Sequence, residues 1–253
     1  MSKIYLSHNN IVSSLGLCSN AVLNAVRDEL SGLCEVEDKA LLPEPFYASL
    51  IDKEKLTNAF HKLDANNDYT RLEKMMILSL SEVVKASKIA LTGRVGLVIA
   101  TTKGNIDVLE EDSPFPKERA YLAQLGRVLK NFFGFQNEAI ILSNACVSGI
   151  LAISVAKRYI HQGVYDSVFV VGGDLVTKFI LSGFNSFQAM SPLPCKPYDA
   201  DRSGINIGEA AASVLVTSSK ENLAMESVEV LGEGTCNDAN HISGPSRSGE
   251  GLY

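Results

Sequence analysis

The residue best placed for covalent chemistry is Cys146, in the stretch S-N-A-C-V-S-G-I-L-A-I-S-V-A-K-R-Y-I at 143–160. Asn144, Ala145, Ser148 and Gly149 are small or turn-compatible, so the chain can bend sharply and let another group approach closely. A short apolar run precedes the bend and an amphipathic run follows it. The spacing therefore predicts a cysteine at the first turn of a helix. Free backbone N–H groups and the positive end of the helix dipole favour a thiolate there. The same N–H groups can stabilise the oxyanion formed on a thioester carbonyl. These parts suit acyl transfer through a covalent intermediate. Small residues also gather where a helix packs tightly on a sheet, and a cysteine buried there as an ordinary apolar side chain satisfies the same spacing. Local sequence leaves both readings open.

The other candidate groups point to less. The five cysteines are Cys18, Cys34, Cys146, Cys195 and Cys236; the number is odd and none makes a C-x-x-C pair. Neither a disulfide framework nor a metal site is expected. The histidines are His8, His61, His161 and His241. His161 follows Cys146 by fifteen residues on the same predicted helix, about 22 Å along its axis, out of reach of that thiol. His8 and His61 read as structural or solvated. Asp199 and Glu209 invite reading as an acid–base pair, but structural, ion-paired carboxylates are the simpler expectation.

The elements that must hold Cys146 alternate between strand and helix. Ile4–Val12 reads as a strand and Asn20–Leu30 as an amphipathic helix ended by Ser31-Gly32. Residues 34–70, with Pro43, Pro45 and the polar cluster at 64–68, read as loop and short helix. Arg71–Ser87 is a helix with Leu72, Met75, Met76, Leu80 and Val83 along its buried stripe. Val95–Ala100 is a continuous apolar strand covered on both faces, with T-T-K-G-N as the turn at its carboxyl end. Lys117–Phe133 and Val147–Gln162 are helical; Ala139–Leu142, Ser167–Val171, Ala210–Thr217 and Val228–Gly232 are strands. This order predicts an α/β fold with a layered sheet. The 253 residues carry a net charge of −6, with 46% hydrophobic and 21% charged residues. That composition describes an ordinary globular chain. It contains no basic run for nucleic acid and no apolar segment of membrane-spanning length. Nothing at the amino terminus resembles a signal peptide, so a cytoplasmic protein is expected.

Six stretches, in order, carry a family resemblance. I-V-S-S-L-G at 11–16, V-G-L-V-I-A-T-T-K-G-N at 95–105, N-A-C-V-S-G at 144–149, V-F-V-V-G-G-D at 168–174, M-S-P-L-P-C-K-P-Y-D-A-D-R-S-G-I-N-I-G-E at 190–209 and G-T-C-N-D-A-N-H-I-S-G-P at 234–245 resemble the β-ketoacyl-acyl-carrier-protein synthases of the thiolase-like superfamily. The resemblance covers essentially the whole chain. It implies the first α/β half of a duplicated, layered fold, with a mixed five-stranded sheet and helices on both faces, as one amino-terminal domain over 1–253. It implies that Cys146 takes an acyl group from the phosphopantetheine arm of an acyl-carrier protein. Condensation with malonyl-carrier protein then follows, with loss of CO2. It also implies that the stretch at 168–174 pairs across a dimer. No resident cofactor is implied, because the phosphopantetheine arrives on the carrier protein. Phe184 matches a pocket-lining position, Lys103 sits where relatives place an apolar gate, and His241 falls in a loop near the site.

The chain departs from the family in three ways. The two histidines and the lysine that assist decarboxylation have no matching motif here. Gly208-Glu209-Ala210-Ala211-Ala212 replaces G-E-G-A-G. The sequence ends in a polar, glycine-rich stretch. The expectation is a piece cut between the two halves of the fold, incomplete for condensation alone; a natural half acting with a partner is the other reading. A homodimer or a partner ketosynthase subunit is expected by analogy. A non-catalytic chain-length-factor-like subunit is the competing function, although such relatives typically lack the nucleophile.

Overall fold

Residues 2–221, 223–236 and 246–249 are described by a computed structural model. In chain order the elements are β1 (Tyr5–Ser13), α1 (Ser19–Arg27), β2 (Cys34–Val36), β3 (Phe46–Ser49), α2 (Lys53–His61), α3 (Arg71–Ser87), β4 (Val95–Ala100), α4 (Leu122–Phe133), β5 (Ile140–Leu142), α5 (Ser148–His161), β6 (Ser167–Asp174), α6 (Lys178–Ser186), β7 (Ile207–Gly208), β8 (Ala210–Thr217) and β9 (Val228–Glu229).

β4 is buried at all six positions because both of its faces are covered. Val95, Leu97 and Ile99 join a core with Leu72, Met76, Leu80 and Val83 of α3 and Leu125 and Leu129 of α4. Val98 and Ala100 join a second core with Ala152, Ala156 and Ile160 of α5. The same alternation runs through β6, where Phe169 and Val171 face α3 while Val168 and Val170 face α5. A period of two thus sorts the side chains into two layers around one sheet. Helices thus cover both faces of the central strands, as expected.

The main sheet is mixed, with order β5-β4-β6-β8-β1-β9. β4 is parallel to β5 and β6, while β8 is antiparallel to β6 and β1. Three expectations need correction. The sheet has six strands rather than five, because the two-residue β9 closes on the outer edge of β1. β6 cannot pair across a dimer, because β4 and β8 use both of its hydrogen-bonding edges; the strand at that end of the sheet is β5. Residues 34–70 hold more than loop and short helix: β2 and β3 form a separate three-stranded sheet with the distant β7. Its strands are two to four residues long, too short for an alternation to register in sequence, and Pro43 and Pro45 precede β3.

Two buried charge networks tie the layers. Glu209, which is 3% exposed, accepts from the guanidinium of Arg71 and from Ile51 N–H at 2.8 Å. It is the structural ion-paired carboxylate expected. Asp199 is not paired with it; its Oδ1 accepts from Asp201 N–H at 2.8 Å in an exposed turn. The second network is built on the capping box of α3. Thr70 Oγ1 accepts from Glu73 N–H, and Glu73 Oε2 accepts from Thr70 N–H at 2.9 Å. Glu73, with no exposure, also receives both Arg119 nitrogens at 2.8 Å and Asn105 Nδ2 at 2.9 Å. The loop after β4 is thereby fastened to α3.

That loop contains a carboxylate with a cost. Asp107 Oδ1 is buried without a hydrogen-bond partner, and burial pushes its pKa up. A raised folded-state pKa means stability is greatest below the unfolded value and is lost as pH rises through the folded value. Asp107→Asn is therefore expected to raise Tm at pH 7.5, with the gain shrinking as pH is lowered towards 4. A Tm difference that stays constant across that range would sink this assignment.

One glycine is required by the backbone. Gly204 has φ +133, and a Cβ there would lie 2.6 Å from the Ala189 carbonyl oxygen. It sits beside the bridge that joins Met190 to Ile205 and closes the 187–206 loop. Gly204→Ala should destabilise by about 3 kcal/mol, measurable as a shift in the urea midpoint.

Candidate active site

The turn that carries Cys146 is built from its own residues. Asn144 N–H donates to Ser148 Oγ at 2.8 Å, and that hydroxyl donates to Ala145 O at 2.8 Å. Val147 N–H and Ser148 N–H close back on Asn144 O and Ala145 O at 3.2 and 3.3 Å. These bonds hold Ala145 at φ +45, a left-handed conformation that a Cβ disfavours. The bend lifts Cys146 out of the chain, and the residue is exposed. The buried-packing alternative is thus excluded. The expected position needs a small correction: α5 begins at Ser148 with Val147 as N-cap, so Cys146 stands just before the helix rather than in its first turn. The tight turn uses the residues that an uninterrupted helix would have recruited. Leu151 N–H makes the first intrahelical bond, to Val147 O; helix geometry leaves the N–H groups of Gly149 and Ile150 facing the nucleophile end.

Cys146 borders an open cleft of about 660 Å3. Its floor is the part of the sheet that α5 leaves uncovered. Ala210, Ala212 and Val214 of β8 face it with Val170 and Gly172 of β6, and Leu6 and Ile11 of β1 extend it. Ala210 and Ala212 are exposed on this face, while Ala211 and Ser213 beside them are buried under α3. Gly149 and Ile153 of α5 form one wall, and Thr102, Asp174 and Asn9 supply polar side chains. Small residues make the cleft broad enough for a chain-like substrate beside the thiol.

The other expected site residues fall elsewhere. Lys103 follows Thr102 but is exposed and does not line this cleft. Phe184 is half-buried on α6 and also lies outside the lining. His241 lies outside the described residues. His161 is the last residue of α5, with its ring against Ser2 O at 3.0 Å, at the far end of the helix from Cys146. His8 sits at the bulge in β1 and His61 ends α2. No histidine lines the cleft among the described residues. Sequence reasoning missed Asp174, Thr102 and Asn9. A signal did exist for the first two: T-T and G-G-D both end apolar runs that became adjacent parallel strands, and ligands gather at the carboxyl ends of such strands.

Comparison with known proteins agrees with this architecture. The sequence profile described as "Beta-ketoacyl synthase, N-terminal domain" matches residues 42–222. Over 121 residues the chain is 37% identical to 3-oxoacyl-[acyl-carrier-protein] synthase 2 of Rhizobium meliloti, a match covering 43% of this chain and 28% of that one. Over 180 residues it is 26% identical to the Vibrio cholerae protein of the same name, covering 62% and 44% respectively. The matched stretches span less than half of these curated relatives. Among solved structures, a ketosynthase in complex with its chain length factor from Xenorhabdus doucetiae superposes with a TM-score of 0.81 at 24% identity, covering 99% of this chain and 65% of that one. The ketosynthase from module 6 of the bacillaene synthase of Bacillus subtilis 168 gives 0.77 at 14% identity, covering 96% and 46%. The fold is the thiolase-like fold of ketosynthases. The chain belongs to the β-ketoacyl synthase family, and most of it corresponds to the N-terminal domain of that family.

Proposed function

We propose that Cys146 is the acyl acceptor of a 3-oxoacyl-acyl-carrier-protein synthase of fatty-acid or polyketide-type biosynthesis. The observation that carries this reading is an exposed cysteine, raised on a left-handed turn, at the edge of a cleft beside the start of a helix. The thiolate attacks the thioester carbonyl of an acyl-carrier protein. The carbon–sulfur bond to phosphopantetheine breaks, and the carrier leaves as a thiolate that takes up the proton Cys146 had released to solvent. In the second half-reaction malonyl-carrier protein loses CO2, and its carbanion attacks the acyl-cysteine and releases the thiolate. Among the described residues no histidine lines the cleft to assist decarboxylation, so the chain alone is proposed to capture acyl groups without completing condensation.

A partner subunit fits the same reading. β5 is an edge strand next to the nucleophile turn, and Val147 and Ile150 beside it are 54% and 69% exposed. Edge strands of this kind pair readily with another chain. The Xenorhabdus doucetiae ketosynthase, solved in complex with its chain length factor, supports a ketosynthase partner of that sort. The accessible thiol in an open cleft favours the catalytic role over the chain-length-factor role for this chain. No helix among the described residues is long and apolar enough to cross a membrane, in keeping with the proposed cytoplasmic site of action.

The test is direct. The protein is incubated with an acyl-carrier-protein thioester and digested, and its peptides are weighed. An acyl mass increment on the peptide containing Cys146 is expected. Acylation at another residue, or at none, overturns the assignment.

A further inference from the structure

Asp174 ends β6 and lines the Cys146 cleft. One of its oxygens, Oδ1, accepts three hydrogen bonds, all from the turn that leaves β4. Thr101 Oγ1 donates at 3.0 Å, Thr102 N–H at 2.8 Å and Thr102 Oγ1 at 2.8 Å. Bonds to an ionised acceptor are about twice as strong as neutral ones. Thr101 Oγ1, with its proton committed to Asp174, accepts from Gly104 N–H at 3.0 Å and so closes the turn.

The same turn grips the chain that leads to the nucleophile. Thr101 N–H donates to Leu142 O at 3.1 Å, and Ser143 Oγ donates to Thr102 O at 3.1 Å. Ser143 stands three residues before Cys146, at the entry to the left-handed Ala145. The strained turn is therefore anchored at both ends: by Ser148 on the helix side, and by the Thr101–Thr102 turn on the strand side. A strained conformation persists only where its surroundings over-determine it.

We propose that Asp174 is a positioning residue for Cys146. Its carboxylate fixes the Thr101–Thr102 turn, and that turn sets, through Leu142 and Ser143, where the nucleophile loop holds the thiol over the cleft. The consequence for acylation rests on Cys146 being the acyl acceptor; the positioning itself does not.

The intact protein and its Asp174→Ala, Asp174→Asn and Ser143→Ala variants are compared by two measurements. The first is Cys146 acylation by an acyl-carrier-protein thioester, with rate constant and KM separated. A displacement near 1 Å costs on the order of a hundredfold, so Asp174→Ala should lower the rate constant about 30-fold with KM within about twofold. Asp174→Asn keeps an acceptor oxygen without the charge and should recover to within about fivefold of the parent. Ser143→Ala should lose about threefold. The second measurement is hydrogen exchange over residues 143–150, which should quicken at least about tenfold in Asp174→Ala and far less in Asp174→Asn. Unchanged exchange there in Asp174→Ala overturns the positioning role, as does a rise in KM alone. If the alanine variant does not fold, parental acylation rates in both Asp174→Asn and Ser143→Ala overturn it. Absence of acylation in the parent protein, with exchange still responding as stated, instead rejects the acyl-acceptor reading and leaves the positioning intact.

Discussion

Cys146→Ala should abolish formation of the acyl-enzyme, lowering covalent capture of an acyl group by at least about a thousandfold. Among the described residues no other cysteine lines the cleft, so no neighbouring thiol there can substitute. The variant should nevertheless fold as the parent does. The side chain is exposed, and surface substitutions usually stay within about 0.5 kcal/mol, which for a chain of this size is a Tm change of about 1–2 °C. The two readouts together carry the result. Loss of acylation with an unchanged Tm identifies a nucleophile, whereas loss of both would mean that the cysteine supports the turn. Cys146→Ser is a sharper variant, because it keeps the shape and a polar atom but replaces sulfur with a less nucleophilic hydroxyl. It should form acyl-enzyme far more slowly than the parent at neutral pH.

The largest effect on stability is expected at the Glu73–Arg119 pair. Glu73 is fully buried, and its two oxygens answer Thr70, Asn105 and the Arg119 guanidinium. Hydrogen bonding to Glu73 pushes the Arg119 pKa further up. Arg119→Ala leaves a buried carboxylate without its counter-charge and should cost about 3–5 kcal/mol, or about 10 °C in Tm. Glu73→Gln keeps the capping and Asn105 bonds, and Arg119, with its side chain 25% exposed, can turn towards water. Its expected cost is smaller, about 1–2 kcal/mol. The order is the test: if the glutamine variant proves the less stable of the two, the buried-charge explanation is wrong. Because Asn105 and Arg119 flank the loop after β4, Arg119→Ala should also loosen the Thr101–Thr102 turn that touches the nucleophile loop.

The parts that were legible in sequence share one property, which is that their causes are local. Arg71–Ser87 was readable as a helix from its apolar stripe, and the capping box of Thr70 and Glu73 secures its start. Val95–Ala100 was readable as a strand because an unbroken apolar run of that length suits a sheet covered on both faces, and Ala210–Thr217 because it is a strand-length stretch of small and β-branched residues. Cys146 was readable because the small residues that let the chain turn are its immediate neighbours. The short strands β2, β3 and β7 were not readable, since so few residues show no alternation and β3 joins β7 only through pairing far along the chain. α6 was missed as well; its nine residues include an interior glycine, Gly183, and its start depends on the Thr177 cap.

The sequence by itself therefore determined the alternating α/β pattern, the two-sided burial of the central strands and the small-residue turn that carries Cys146. Helical period, strand period and turn chemistry are all properties of adjacent residues. Tertiary structure alone decided that Cys146 stands just before α5 rather than within it, that β6 is interior while β5 is the edge, and that Thr102 and Asp174 share a cleft. Thr102 and Asp174 are 72 residues apart in sequence and meet only because β4 and β6 lie side by side in parallel. Strand order carries no local signature, since every strand of a covered sheet satisfies the same apolar pattern, and packing of the whole chain selects which strands become neighbours.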